Sequence, residues 1–148
     1  MYIDARPPVA ASRAETIIAA MQRMVNTPSP EALDAMRALF SEDIRFRDPG
    51  TVMNGRDEFL RSFEQFCTAE SVGQKILRTA ISHDSIFINW RFSMKSGAAF
   101  EGYAGHDTGD DAIEFDGVGM MLLNEQGVII DYTDFWSVVP DAYKAALR

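Results

Sequence analysis

The chain changes its hydrophobic period part-way along, and that change limits it to one class of fold. Up to about residue 40 the apolar residues recur at helical spacing. From residue 74 onward they alternate in long runs. In the run 85–95, Ile86, Ile88, Trp90, Phe92 and Met94 share one face, while Phe87, Asn89, Arg91, Ser93 and Lys95 share the other. Strand side chains point to opposite faces in turn, so this run has a buried side and a wetter side. Helices that precede an antiparallel sheet indicate an α+β domain.

The first helix begins near Ser12-Arg13-Ala14-Glu15, which matches a capping box, and presents Ile17, Ile18, Met21, Met24 and Val25. Asn26-Thr27-Pro28 ends it. Ser29-Pro30-Glu31 starts a second helix with proline at its first position, where a missing N–H costs nothing. Leu33, Met36, Leu39 and Phe40 form the stripe of that helix, so the pair makes a helical hairpin. A strand over Ile44–Arg47 and the Asp48-Pro49-Gly50 turn follow. A third helix, over about 56–68, carries Phe59, Leu60, Phe63, Phe66 and Cys67 inward. Four strands complete the order: 74–83, 85–95, 112–124 and 128–139. The first pair turns at His83-Asp84-Ser85 and the last at Asn124-Glu125-Gln126-Gly127, where glycine supplies positive φ. Residues 1–11 read as a flexible arm, 12–148 as a single domain, and Pro140–Arg148 as a short helical tail. The segment 96–111 holds four of the ten glycines and reads as a loop, with a lid as one reading.

Composition narrows the function classes. The chain has 148 residues, 47% hydrophobic, with a net charge of −8. An acidic surface argues against nucleic acid or an anionic membrane as partner. No run approaches the roughly 20 apolar residues of a membrane span. The start of the chain has no signal-peptide pattern, so a cytoplasmic location is expected. A single cysteine, Cys67, excludes an intrachain disulfide and reads as a buried small hydrophobe. His83-Asp84 and His106-Asp107 lack metal-ligand spacing, and phosphate-loop, nucleophile-elbow and dinucleotide motifs are missing. No metal and no cofactor are expected.

The candidate chemistry lies in carboxylates. Asp48 sits at a strand end where a concave sheet could close over it. Raised by burial, it would be a general base; otherwise it is a turn residue that accepts a backbone N–H. Asp134 alternates with Tyr132 and Trp136 on one strand face. Two aromatics around a carboxylate mark a pocket wall; the opposite orientation would leave Asp134 exposed or at a dimer contact. Glu114 and Asp116 share a face and read as solvated charges. Trp90 is a core residue or a ligand platform. Tyr103 and His106 would be surface residues or would close over a ligand.

Leu39-Phe40-Ser41-Glu42-Asp43, Phe46-Arg47-Asp48-Pro49-Gly50, Gly55-Arg56-Asp57-Glu58-Phe59 and the closing hairpin from Met120 to Trp136 together resemble the nuclear transport factor 2-like superfamily. Within it, the chain is similar to the SnoaL-like and ketosteroid isomerase-like proteins over about residues 13–139. The resemblance implies a cone. In it, a curved, mainly antiparallel sheet wraps around the N-terminal helical hairpin and a third helix. It places Asp48 where the isomerase base stands, with Asp134 as a second catalytic candidate. Tyr132, Trp136, Trp90, Met21, Phe63 and Tyr103 become substrate-binding candidates. The isomerase tyrosine falls near Met21 or Met24 and its second aspartate near Gly119, none of which donates a side-chain hydrogen bond. The Asp-Arg-Asp set of limonene epoxide hydrolase-like members finds only Asp134, with Arg91 on a neighbouring strand as a substitute.

Three functions stay open. One is a cofactor-free acid/base enzyme of the isomerase, cyclase or dehydratase type, acting on a hydrophobic cyclic or polyketide-like substrate. The second is a non-catalytic binder of hydrophobic small molecules, and the third a dimeric interaction module. A homodimer is expected from the resemblance; the face bearing Phe87, Asn89 and Arg91 could serve as its contact, and which sheet face does so stays open.

Overall fold

The computed structural model describes residues 8–69, 71–95 and 112–136. Helix α1 spans Ala11–Asn26 and α2 Pro30–Arg37. Strands β1 (Phe40–Arg47) and β2 (Val52–Asn54) follow, then α3 (Arg56–Arg61) and a 3-10 turn at Glu64–Thr68. The remainder is β3 (Ser71–Ser82), β4 (Ser85–Lys95), β5 (Ala112–Leu123) and β6 (Ile129–Trp136). The expected loop over 96–111 and the helical tail after Pro140 lie outside the described residues, as does most of the N-terminal arm.

The six strands form one curved, unclosed sheet in the order β2-β1-β6-β5-β4-β3. The expected α+β architecture is present. Every pairing is antiparallel except β1 with β6, which run parallel with Phe46 opposite Tyr132. The first and last strands therefore lie side by side in the sheet. The helices cover the concave face. Ile17, Met21 and Met24 of α1, Met36 of α2 and Phe59 of α3 share one buried core with Ile86, Ile88 and Trp90 of β4. The β4 faces divide as the alternation predicts.

Local expectations fared unevenly. Ser29 caps α2, its hydroxyl accepting from the Ala32 N–H at 3.1 Å, with Pro30 at the first position. The capping box at Ser12 is not used: α1 starts at Ala11 with Ala10 at the cap and no side-chain acceptor. Val9 N–H, just before the helix, is instead bound to the His83 carbonyl at 2.6 Å. Phe40 belongs to β1, because α2 ends at Arg37. The third helix does not run to 68. The Ser62 hydroxyl donates back to the Phe59 carbonyl at 2.6 Å, an interaction that competes with helical bonding, and the chain tightens into the 3-10 turn. That shift of phase leaves Cys67 exposed rather than buried. Gly127 takes φ +72° in the last hairpin turn, and His83 takes φ +42° in the first. No helix among the described residues is long and apolar enough to cross a membrane.

Candidate active site

The concave face of the sheet and the helices enclose a cavity of about 110 Å³. Asp48 at the end of β1, Trp90 of β4, and Tyr132, Asp134 and Trp136 of β6 all line it. Met21 of α1 and Phe63, beyond α3, close the opposite side. The structure thus brings together every candidate that lies among the described residues; Tyr103 lies outside them.

Asp134 is positioned by strand alternation and by register. On β6 it shares the inner face with Tyr132 and Trp136, and across the ladder it faces Gly119. A Cβ at position 119 would lie 2.7 Å from Asp134 Oδ1 and 3.1 Å from Tyr132 Cε2, so only glycine leaves room for both side chains. Gly117, one step along the same face of β5, does the same for Trp90: a Cβ there would fall 2.3 Å from the indole ring. The indole Nε1–H of Trp90 donates to Asp134 Oδ1 at 3.3 Å. The Tyr132 ring is only 2% exposed and packs edge-on against Phe46 at 5.3 Å and Phe59 at 5.9 Å.

These surroundings set the proton affinity of the carboxyl. Asp134 is half-buried by surface exposure and lines the cavity. Burial raises its pKa from 3.8 to about 7, against the pull of hydrogen bonds from Tyr132 and Trp90, with the negative charge of Asp48 adding to the rise. Burial, then the charge of Asp134 and its hydrogen bond, push the Tyr132 phenol well above its ordinary value, so it remains a neutral O–H donor. A carboxyl balanced near neutrality in an apolar cavity can both take up and return a proton.

Asp48 carries its turn as well as lining the cavity. Its Oδ1 accepts the N–H groups of Gly50 at 2.8 Å and Thr51 at 2.7 Å, and its own N–H bonds to the Thr51 carbonyl. Those three bonds close the turn between β1 and β2, beyond the ladder that joins the two strands. Arg91 belongs to the other side of the sheet. It forms a two-point ion pair with Asp116, at 2.7 and 3.0 Å, on the exposed face. No arginine lines the cavity among the described residues, so the Asp-Arg-Asp arrangement does not form around Asp134. Nor do the described residues place three His, Cys, Asp or Glu side chains where they could hold a metal ion.

Two polar lining residues were not foreseen. Ser62 is engaged with Phe59. Gln74 occupies the inner face of β3 between Val72 and Ile76, and the polar break in that alternation was the signal for it.

A family model for the SnoaL-like domain matches residues 18–132. The chain belongs to the SnoaL-like family. Solved structures share the fold. One is the epoxide hydrolase/cyclase-like enzyme SalBIII of pyran ring formation in the polyether salinomycin. It is 23% identical with a TM-score of 0.65, covering 85% of this chain and 91% of its own. A limonene epoxide hydrolase-like enzyme of Mycobacterium tuberculosis is 16% identical with a TM-score of 0.67, covering 93% and 91%. A protein with a ketosteroid isomerase-like fold from Catenulispora acidiphila, in complex with trimethylamine, is 15% identical with a TM-score of 0.63, covering 82% and 85%. At such identities these likenesses speak for the fold alone. No curated protein matches the chain at a significant level.

Proposed function

We propose that this SnoaL-like protein is a cofactor-free acid/base enzyme, with Asp134 as its proton shuttle. Its substrate class would be hydrophobic cyclic or polyketide-like molecules that carry a carbon acidified by a carbonyl. The observation that carries the reading is the Asp134 carboxyl, raised to about 7 among Trp90, Tyr132 and the apolar cavity wall. In its ionised form it takes a proton from the α-carbon. The C–H bond breaks, an O–H bond forms on Asp134, and the electron pair moves to the carbonyl oxygen as an enolate. The same carboxyl then returns the proton to that carbon or to a conjugated one. Trp90 Nε1–H and the Tyr132 hydroxyl fix the direction of the carboxylate, while Trp136, Met21 and Phe63 hold the scaffold and exclude water.

Deuterium exchange from D2O into the α-carbons of 4-phenylcyclohexanone, followed by proton NMR, tests this. The wild-type protein should exceed buffer, with a rate that rises with pH through about 7. Asp134→Asn should lower it by roughly 100-fold or more, the usual scale of general base catalysis. Equal rates in the two proteins would overturn the enzyme. A wild-type protein that binds the ketone without exchanging it would be the non-catalytic binder instead, a reading favoured by Met21 and Gly119 at positions where the isomerases place donors. We further propose a homodimer formed through the outer sheet face. There Phe135 is 58% and Val118 42% exposed, beside Asn89. A monomer mass by light scattering would refute it.

A further inference from the structure

We infer that Gln74 is a specificity-determining residue that receives a hydrogen-bond donor, a hydroxyl or an amide N–H, at the end of the ligand remote from Asp134. The inference rests on the cavity being a ligand site, and it names the ligand chemistry that the cavity selects.

Gln74 is held firmly where it stands. β3 is an edge strand, and Asn26 at the end of α1 pairs with it as a neighbouring strand would. The Gln74 N–H donates to Asn26 Oδ1 at 2.7 Å, and Asn26 Nδ2 donates to the Gln74 carbonyl at 2.9 Å. With its backbone fixed, the side chain lines the cavity beside Phe92, its partner across the ladder, while Val72 and Ile76 on the same face of β3 pack against the core. Its Oε1 is buried and has no hydrogen-bond partner among the described residues. Buried acceptors left alone cost stability, and leucine or methionine would fill the same space without that cost. The arrangement makes sense where a bound molecule supplies the donor.

The rest of the cavity defines that molecule. No Lys, Arg or His lines it among the described residues, so an anionic group would enter uncompensated and a neutral donor is preferred. Gln74 on β3 and Asp134 on β6 are separated by two intervening strands. Three strand spacings amount to about 14 Å across the sheet. Asp134 is level, through Gly119 and Ile88, with Thr79, so Gln74 also lies five residues further along β3, and the curvature of the sheet brings the two to one cavity. The ligand is therefore an apolar scaffold of more than one ring, with the reacting carbonyl at one end and a neutral donor at the other.

The test compares 4-(4-hydroxyphenyl)cyclohexanone with 4-phenylcyclohexanone, binding to the full chain by calorimetry. The wild type should prefer the hydroxylated probe by roughly fivefold to tenfold, the scale of one net hydrogen bond. Gln74→Leu should abolish the preference and should raise Tm. Gln74→Glu keeps an acceptor oxygen and should keep the preference; Gln74→Met replaces the leucine variant should that one fail to fold. Equal dissociation constants in the wild type, or a preference that survives Gln74→Leu, overturns the assignment. Because binding is read without turnover, a protein that shows the preference but no deuterium exchange refutes the enzyme while leaving Gln74 in its role.

Discussion

Replacing Asp134 by Asn should make the protein more stable, and by an amount that depends on pH. A carboxyl whose pKa is about 7 when folded and 3.8 when unfolded binds more protons in the folded state between those values. Stability therefore falls as pH rises through that window, and is flat below 3.8 and above about 7. The full loss is about 4 kcal/mol at roughly 1.4 kcal/mol per pH unit, an upper figure because the cavity admits some water. Asparagine keeps the shape and the Oδ1 acceptor for Trp90 but never ionises. The two proteins should be closest in stability below pH 3.8. Between about pH 5.5 and 8.5 the advantage of the variant should grow by about 2 kcal/mol, nearly all of it below pH 7.5. At about 2–4 °C per kcal/mol for a chain of this size, that growth is roughly 4–8 °C in Tm. Urea titrations at a series of pH values read it directly, because the other ionising groups largely cancel between the two proteins. A difference that does not change with pH, or a wild type that gains on the variant as pH rises, would refute the burial argument.

Gly119→Ala should displace the Asp134 carboxyl, since the new Cβ would lie 2.7 Å from Oδ1. Calorimetric melting should show a loss of about 1–3 kcal/mol, and exchange into the ketone should drop at least as steeply as stability does. Asp48→Asn retains the acceptor for Gly50 and Thr51 and should melt close to the wild type. Asp48→Ala leaves both amides without their acceptor and should cost about 1–3 kcal/mol, measured by urea unfolding. Cys67 should react fully with a thiol reagent such as dithionitrobenzoate in the native protein; a reaction that waits for denaturant would contradict its exposed position.

How much was legible in the sequence depended on how local the cause was. Side-chain alternation identified the buried face of β4 and the grouping of Tyr132, Asp134 and Trp136. Proline and serine at 29–30 and glycine at 127 marked a helix start and a hairpin turn, because each acts within a few residues. What escaped depended on distant partners. β2 has three residues, two of them exposed, and exists only through its pairing with β1. The parallel contact of β1 with β6 joins segments some 90 residues apart, which no local pattern encodes. Cys67 was misplaced because the hydroxyl of Ser62 turned inward onto its own helix. Glycine in a strand signals only a weak or closely approached point, and it is the register that shows Trp90 and Asp134 filling the space above Gly117 and Gly119. Asp48 shows that a turn residue and a cavity residue can be one side chain.

The proposed chemistry depends most on the state of one carboxyl. A carbon-13 titration of the Asp134 carboxyl by NMR in the free protein, with Asp134→Asn identifying the signal, measures it without any substrate. A buried Asp134 should titrate with a midpoint at about 7. A midpoint near 3.8 would mean a solvated carboxylate, and would contradict both the buried site and the proton shuttle built on it.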